Sequence, residues 1–380
     1  IAANTEDPEG GIIRRLPDGQ PDGVLEETAM WLVFKAFPQP TAEQHLALLQ
    51  PAQAYYASYG ITTVQDGATG SNEIEILQRA ARESKLYLDV VAYSHIQAPG
   101  ASFDEVPFSA DYDGNFRVGG VKLILDGSPQ GKTAWLTQPY LHPPHGQDEA
   151  YTGYPTLSDA KVFDYVGGAY QRNMPVLAHV NGDAAADQLI RAVRAGTAAH
   201  GNGDRRTVAI HAQAVREDQQ DAMKELGIVP SYFSSHTFYW GDWHRDSVFG
   251  VERASRISPL KTTVDRNMPF TTHNDTPIVP PDMMRLLWAS VNRITRSGQV
   301  LGEAQRISPI EALKSITINA AYQYFEEHRK GSIEVGKIAD LTILDANPLT
   351  VEPEAIKDIK VLETIKDGRT VFSRAEDTTR

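Results

Sequence analysis

Pro175-Val176-Leu177-Ala178-His179-Val180-Asn181-Gly182-Asp183 and, 32 residues on from its histidine, Thr207-Val208-Ala209-Ile210-His211 decide the fold. Each is a short apolar run ending on an imidazole, and the first passes directly into an Asn-Gly-Asp turn. Runs of this length, bounded by turn residues, read as buried strands. Helix text follows each, at 183–195 and 215–226. Strand alternating with helix implies parallel strands joined by crossover helices. The texture continues on both sides. Upstream lie strand text at Gly60–Gly67, an amphipathic helix from Asn72 to Lys85, and strands at Leu86–Tyr93 and 118–126. Downstream lie 228–233, 258–266 and the strand text 269–274. The spacing keeps step: His211 to Asp275 is 64 residues, two units, and Lys122 to His179 is 57, one unit plus the irregular stretch 127–156. The expected class is α/β, a (β/α)8 TIM-like barrel, in which strand ends converge at one mouth.

Beyond the barrel text the reading changes. A helix is expected over 24–58, with Thr41-Ala42-Glu43-Gln44 as a capping start, and another at 308–325 opened by Ser308-Pro309. Gly331 onward is strand and hairpin text, with Asp367-Gly368 as a tight turn. Two units are therefore expected, a barrel over 1–330 and part of a small β-sandwich subdomain over 331–380. The formal charge of −13 argues against nucleic acid and anionic membranes as partners. No run approaches the ~18 apolar residues of a membrane span. With no cysteine, thiolate nucleophiles and Cys-based zinc sites are excluded, and cytoplasm and periplasm remain equally open. Gly-x-Gly-x-x-Gly, Walker and Gly-x-Ser-x-Gly motifs are absent, which weakens nucleotide and serine-hydrolase readings.

Three strand ends carry residues that ligate divalent metals: His179, His211 and, in Pro269-Phe270-Thr271-Thr272-His273-Asn274-Asp275, the carboxylate Asp275. A lone strand histidine is more often a hydrogen-bonded core residue, but three independent strand ends point jointly to a metal site. Lys122 lies among Val121, Leu123, Ile124 and Leu125, where an ammonium is costly. It is either half of a buried ion pair, or directed along the barrel toward Asp126, or a lysine of depressed pKa that captures CO2 as a carbamate. His236, in Ser234-Ser-His236-Thr-Phe-Tyr-Trp-Gly-Asp-Trp-His244, suits substrate contact at the mouth or a plain aromatic lid. His273 shares a strand face with Asp275 and is a ligand or a neighbour. His142 and His145 read as a solvated loop, and His45, His95, His200 and His328 as structural or exposed.

Together these stretches resemble the amidohydrolase superfamily, in the amidohydrolase family 3 branch that includes N-substituted formamide deformylases. The resemblance rests on Val121-Lys122-Leu-Ile-Leu-Asp126-Gly-Ser128, His179-Val-Asn-Gly-Asp183-Ala, Ile210-His211-Ala-Gln213, His273-Asn-Asp275-Thr-Pro277 and Gly331 through Asp340-Leu. It implies a metal-dependent hydrolase of non-peptide C–N bonds acting on a small molecule, with one or two divalent ions, zinc foremost. Lys122 would be the carboxylated bridging lysine, and His179 and His211 ligands of one metal. Asp275 would be a ligand of the other metal and the general base, with His236 polarising the carbonyl or lining the pocket. A mononuclear deaminase and a non-catalytic binding barrel are the other readings. The family's His-x-His strand has no counterpart in this chain, whose opening Ile1-Ala-Ala-Asn reads as mid-protein loop. A fragment lacking the first strand is therefore expected, completed by an N-terminal companion segment, with a homo-oligomer as its assembly.

Overall fold

The computed structural model describes residues 1–34, 36–38 and 40–374, so the last residues of the 331–380 unit lie outside the described ones. An N-terminal hairpin, β1 (Gly11–Arg15) and β2 (Pro21–Glu27), precedes one parallel sheet of seven strands. These are β3 (Thr63–Thr69), β4 (Asp89–His95), β5 (Phe116–Ile124), β6 (Val176–Val180), β7 (Val208–His211), β8 (Val229–Tyr232) and β9 (Thr271–Thr272), paired in chain order. Among the described residues the curved parallel sheet thus has seven strands, where a closed (β/α)8 barrel has eight. Among the described residues β3 pairs only with β4 and β9 only with β8. Each therefore keeps one unpaired edge facing the other.

Alternation along the strands builds two cores. Val121, Leu123, Leu125, Val176, Ala178 and Val180 face outward and pack, fully buried, with helices Asp159–Gln171 and Asp183–His200. Val91, Tyr93, Leu177, Val208, Ile210 and Val229 fill the interior. Full burial of each aliphatic side chain is worth roughly 1.5–3 kcal/mol, so the two-sided apolar text is what holds the curved sheet. Gly120 matters to that curvature. A Cβ there would come within 2.3 Å of the Pro175 carbonyl oxygen, and the ladder to β4 is irregular beside it.

The stretch 127–156 folds back over the mouth, tied by Leu136 N to Thr152 O and Tyr140 N to Tyr151 O, and it meets the N-terminal hairpin where Tyr154 donates to Glu26. At the far end of the chain, β10 (Leu341–Leu344), β11 (Val361–Lys366) and β12 (Arg369–Ser373) form an antiparallel sheet. Asp367 and Gly368, both at positive φ, make its hairpin turn as the sequence implied. A buried ion pair joins this sheet to the barrel: Lys366 lies 3.0 Å from Asp89 of β4, and within the C-terminal unit it also lies 3.1 Å from Asp340.

Two expectations are corrected. Residues 24–58 are not one helix: 21–27 is strand, held by pairing with β1, and the long helix runs Ala42–Ala57 behind the expected Thr41–Gln44 capping box. The 308–325 helix breaks into Pro309–Ser315 and Ile318–Gln323, because Thr317 leaves helical geometry at φ −123° and ψ −97°. No helix among the described residues is long and apolar enough to cross a membrane.

Candidate functional site

Parallel register sets the strand ends level. Ile124 faces His179, Val180 faces His211, and His211 faces Tyr232. Strand alternation alone would point His211 outward, since Ile210 before it faces the interior. His211 and Ala212 instead adopt φ of 73° and 46°, and this left-handed step turns the His211 ring inward. Backbone of that kind is costly for a residue with a Cβ and tends to cluster where function requires it. The His179 and His211 rings then stand 4.6 Å apart, nearly perpendicular.

Each ring is tied through Nδ1. His179 Nδ1 lies 3.2 Å from Asp126 Oδ1, while Asp126 also accepts from the backbone N–H groups of Asn181, Gly182 and Trp135. Asp126 is fully buried, and its charge is compensated by those four donors rather than by Lys122. Donation from Nδ1 leaves His179 Nε2 a lone pair, consistent with the Asn181 amide donating to it at 3.3 Å. Gly182 permits this close packing: a Cβ there would sit 1.8 Å from the Trp135 carbonyl. His211 Nδ1 lies 3.0 Å from His273 Nε2, and His273 Nδ1 lies 2.9 Å from Ser231 Oγ. Both His273 nitrogens are thus engaged, which makes it a neighbour of the cluster rather than a free donor. When His211 donates to His273, its own Nε2 is the open nitrogen. Outer partners of this type orient metal-binding imidazoles and set their tautomer.

Lys122 is 6% exposed and makes no hydrogen bond or ion pair with the described residues. Burial pushes its ammonium down to about 8, opposed by the negative charge of Asp275. The buried-ion-pair and Asp126 alternatives are therefore not realised. Asp275 is open to the cavity and sits at φ 56°. Its carboxyl is raised, through desolvation by the surrounding walls and against the pull of His179 and Lys122. His211 is held well below the usual imidazole range by burial and by the neighbouring His179, His273, Lys122 and His236, so it stands neutral.

Lys122, His179, His211, His273 and Asp275 all line one cavity of about 850 Å³ that continues down between β3 and β9. His236 is buried and set back from this group. Its ring packs on Phe233 at 4.5 Å, and Phe233 in turn lies 5.4 Å from His273. Asp126, named in the sequence only within a motif and as an alternative partner of Lys122, holds His179 instead. Two residues were missed, Ser231, which shows no sign in the sequence, and His95. His95, read as structural or exposed, is the register partner of Lys122, which depresses its imidazole after burial. Periodicity could have found it, since Val91, Tyr93 and His95 share a face.

Among the described residues no three His, Asp or Glu side chains converge into a ready ligand cage. The donors that do share a wall are the imidazoles of His179 and His211 and the Lys122 amine, which fits a divalent metal when Lys122 supplies the third donor.

A family model described as "Amidohydrolase family" matches residues 1–372. The chain is 28% identical to Protein LONG AFTER FAR-RED 3 of Arabidopsis thaliana over 98% of its own length and 65% of that protein's. It is 26% identical to the N-substituted formamide deformylase of Arthrobacter pascens, over 98% of this chain and 69% of that one. It therefore spans about two thirds of the length of these relatives. The crystal structure of an uncharacterized metal-dependent hydrolase from Pyrococcus horikoshii superposes with a TM-score of 0.75 at 24% identity, covering 88% of this chain and 66% of that one, a likeness of fold. With the family match running nearly end to end and the solved fold agreeing with the sheet described above, the chain belongs to amidohydrolase family 3.

Proposed function

We propose that this chain carries most of the site of a metal-dependent hydrolase acting on a non-peptide, amide-type C–N bond of a small molecule. One observation carries the reading: His179 and His211 stand on adjacent strands, each tied at Nδ1, beside an unpartnered buried lysine and an open carboxylate in one cavity. His179, His211 and Lys122, the last as its CO2-derived carbamate, would hold a divalent ion, zinc foremost. Such an ion supplies Lewis acidity, which polarises a carbonyl and lowers the pKa of water.

The chain's own residues do the rest. Depressed basicity leaves a share of Lys122 as free amine near neutral pH, the form that attacks CO2; a proton leaves as the N–C bond forms. Asp275, facing the cavity with a raised carboxyl, receives a proton from water and returns it to the departing amine. His236, one ring behind the cluster, acts on the carbonyl oxygen or shapes the wall. The apolar rim from Met283, Met284 and Ile316 and the tyrosines Tyr56 and Tyr59 limit water access.

The open side belongs to the same proposal. The unpaired edges of β3 and β9 face one cavity, and exposed edges are liabilities that proteins cover. An eighth strand, from an N-terminal companion segment, would pair with both and bring the His-x-His that the resemblance implies for a second ion.

The test is metal content by mass spectrometry after loading with zinc and bicarbonate, alongside turnover of N-formyl and N-acyl amides. Bound zinc that falls in Lys122→Ala, His179→Ala and His211→Ala, with 13C-bicarbonate labelling of Lys122, is the expected result. Normal zinc binding by Lys122→Ala overturns the carbamate. A folded chain that takes up no zinc overturns the site and leaves a binding barrel.

A further inference from the structure

The aromatic stretch after β8 contains a second imidazole that the site reading does not use. His244 is completely buried, and its Nε2 lies 3.0 Å from Nδ1 of His236. The ring planes differ by only 4° with centroids 5.3 Å apart, so the rings meet edge to edge in one plane rather than face to face. That is the geometry of a straight N–H···N hydrogen bond. Burial holds both rings in the neutral form, His244 pushed down to about 3 and His236 well below the usual range. A neutral imidazole has one N–H, so one ring donates and the other accepts.

Which ring donates follows from the other end of His244. Its Nδ1 is buried with no hydrogen-bond partner among the described residues. Were His236 the donor, the His244 proton would have to sit on that Nδ1, as a buried N–H with no acceptor. Orphaned buried N–H groups are rarer than under-used acceptors and cost about 1–3 kcal/mol. With His244 donating from Nε2, its Nδ1 is only an unused lone pair. His236 then accepts at Nδ1 and must carry its own proton on Nε2.

We infer that His244 is a positioning residue that locks His236 as the Nε2–H tautomer, so that His236 offers a hydrogen-bond donor, and no base, beside the His211–His273 cluster. The packing supports one fixed orientation. Phe233 at 4.5 Å and Trp240 at 4.5 Å hold the His236 ring in place. Phe249 at 5.4 Å abuts His244. In the hydrolase reading, on which its catalytic meaning rests, this assigns His236 to stabilising negative charge on a carbonyl oxygen and leaves proton transfer to Asp275.

Long-range 1H–15N correlation spectra of histidine-labelled, metal-free protein read the tautomer directly and need no turnover. His236 is expected with a protonated Nε2 and a bare Nδ1. H244L should release it to a mixture or to the opposite tautomer, and H244Q, whose amide still donates, should restore the wild-type pattern. A wild-type His236 protonated on Nδ1 overturns the inference, as does a folded H244L that keeps the wild-type tautomer. Should H244L not fold, the wild-type spectrum and H244Q decide. With an active amide substrate, H244L should lower kcat about 100-fold with KM within about twofold, the loss typical of one oxyanion donor, and H244Q should recover most of it. Absence of hydrolysis would fail the functional reading while leaving the tautomer result intact.

Discussion

The wall from β5 to β8 and the open side between β9 and β3 are built to different standards. On the wall every strand is paired on both edges, and each imidazole has its Nδ1 engaged by Asp126 or His273. On the open side two strands have bare edges, and the Asp275 carboxyl group faces the cavity with no hydrogen-bond partner among the described residues. The wall is thus organised independently of any ligand. The open side presents chemistry without the structure that would fix it.

The largest expected effect breaks the wall. Asp126→Ala removes the acceptor of three backbone N–H groups and of His179, each left buried at about 1–3 kcal/mol. Urea denaturation should show a loss of several kcal/mol, with Asp126→Asn recovering part of it. A loss under about 1 kcal/mol would mean that the wall does not depend on this carboxylate.

Lys122 gives the next effect, through pH. Its folded value of about 8 lies below its unfolded one, so the unfolded chain binds more protons between the two. Stability of the metal-free protein in CO2-free buffer should therefore rise from about pH 8 to about pH 10.4, by roughly 3 kcal/mol, and not below that window. Lys122→Met should abolish the rise. A wild-type curve no different from that of Lys122→Met would show that the amine titrates normally.

His273→Phe keeps the volume of the wall and removes the tether on His211. Zinc affinity by competition with a chromophoric chelator should fall about 10–100-fold, as for other outer partners of metal-binding histidines. Unchanged affinity would make His273 packing only. Asp275→Asn is the smallest in stability, within about 0.5 kcal/mol as for an open surface position, although it removes the proposed base. If it destabilised the fold as much as Asp126→Ala, the contrast between the two sides would collapse.

Much of this was legible in the sequence. Apolar runs ending in His179 and His211 announced buried parallel strands, because both faces of such strands are covered and the text shows it. Lys122 was conspicuous because a charge in that text needs a reason, and Asp367-Gly368 named its own turn. The helix expected over 24–58 failed because hairpin pairing with β1 outweighed local propensity at 21–27. His95 was passed over because its partner lies one strand away in space and 27 residues away in sequence.

The sequence by itself determined the strand and helix alternation, the family, and the kinds of donor gathered at the strand ends. Those depend on local periodicity and residue chemistry. Only the tertiary structure decided that His211 turns inward through a left-handed backbone, that Asp126 serves His179 and not Lys122, that His273 is engaged at both nitrogens, and that His244 stands behind His236. Each of these depends on the register of neighbouring strands or on loops that meet across the mouth, and hydrogen bonds between residues far apart in the chain leave no periodic trace.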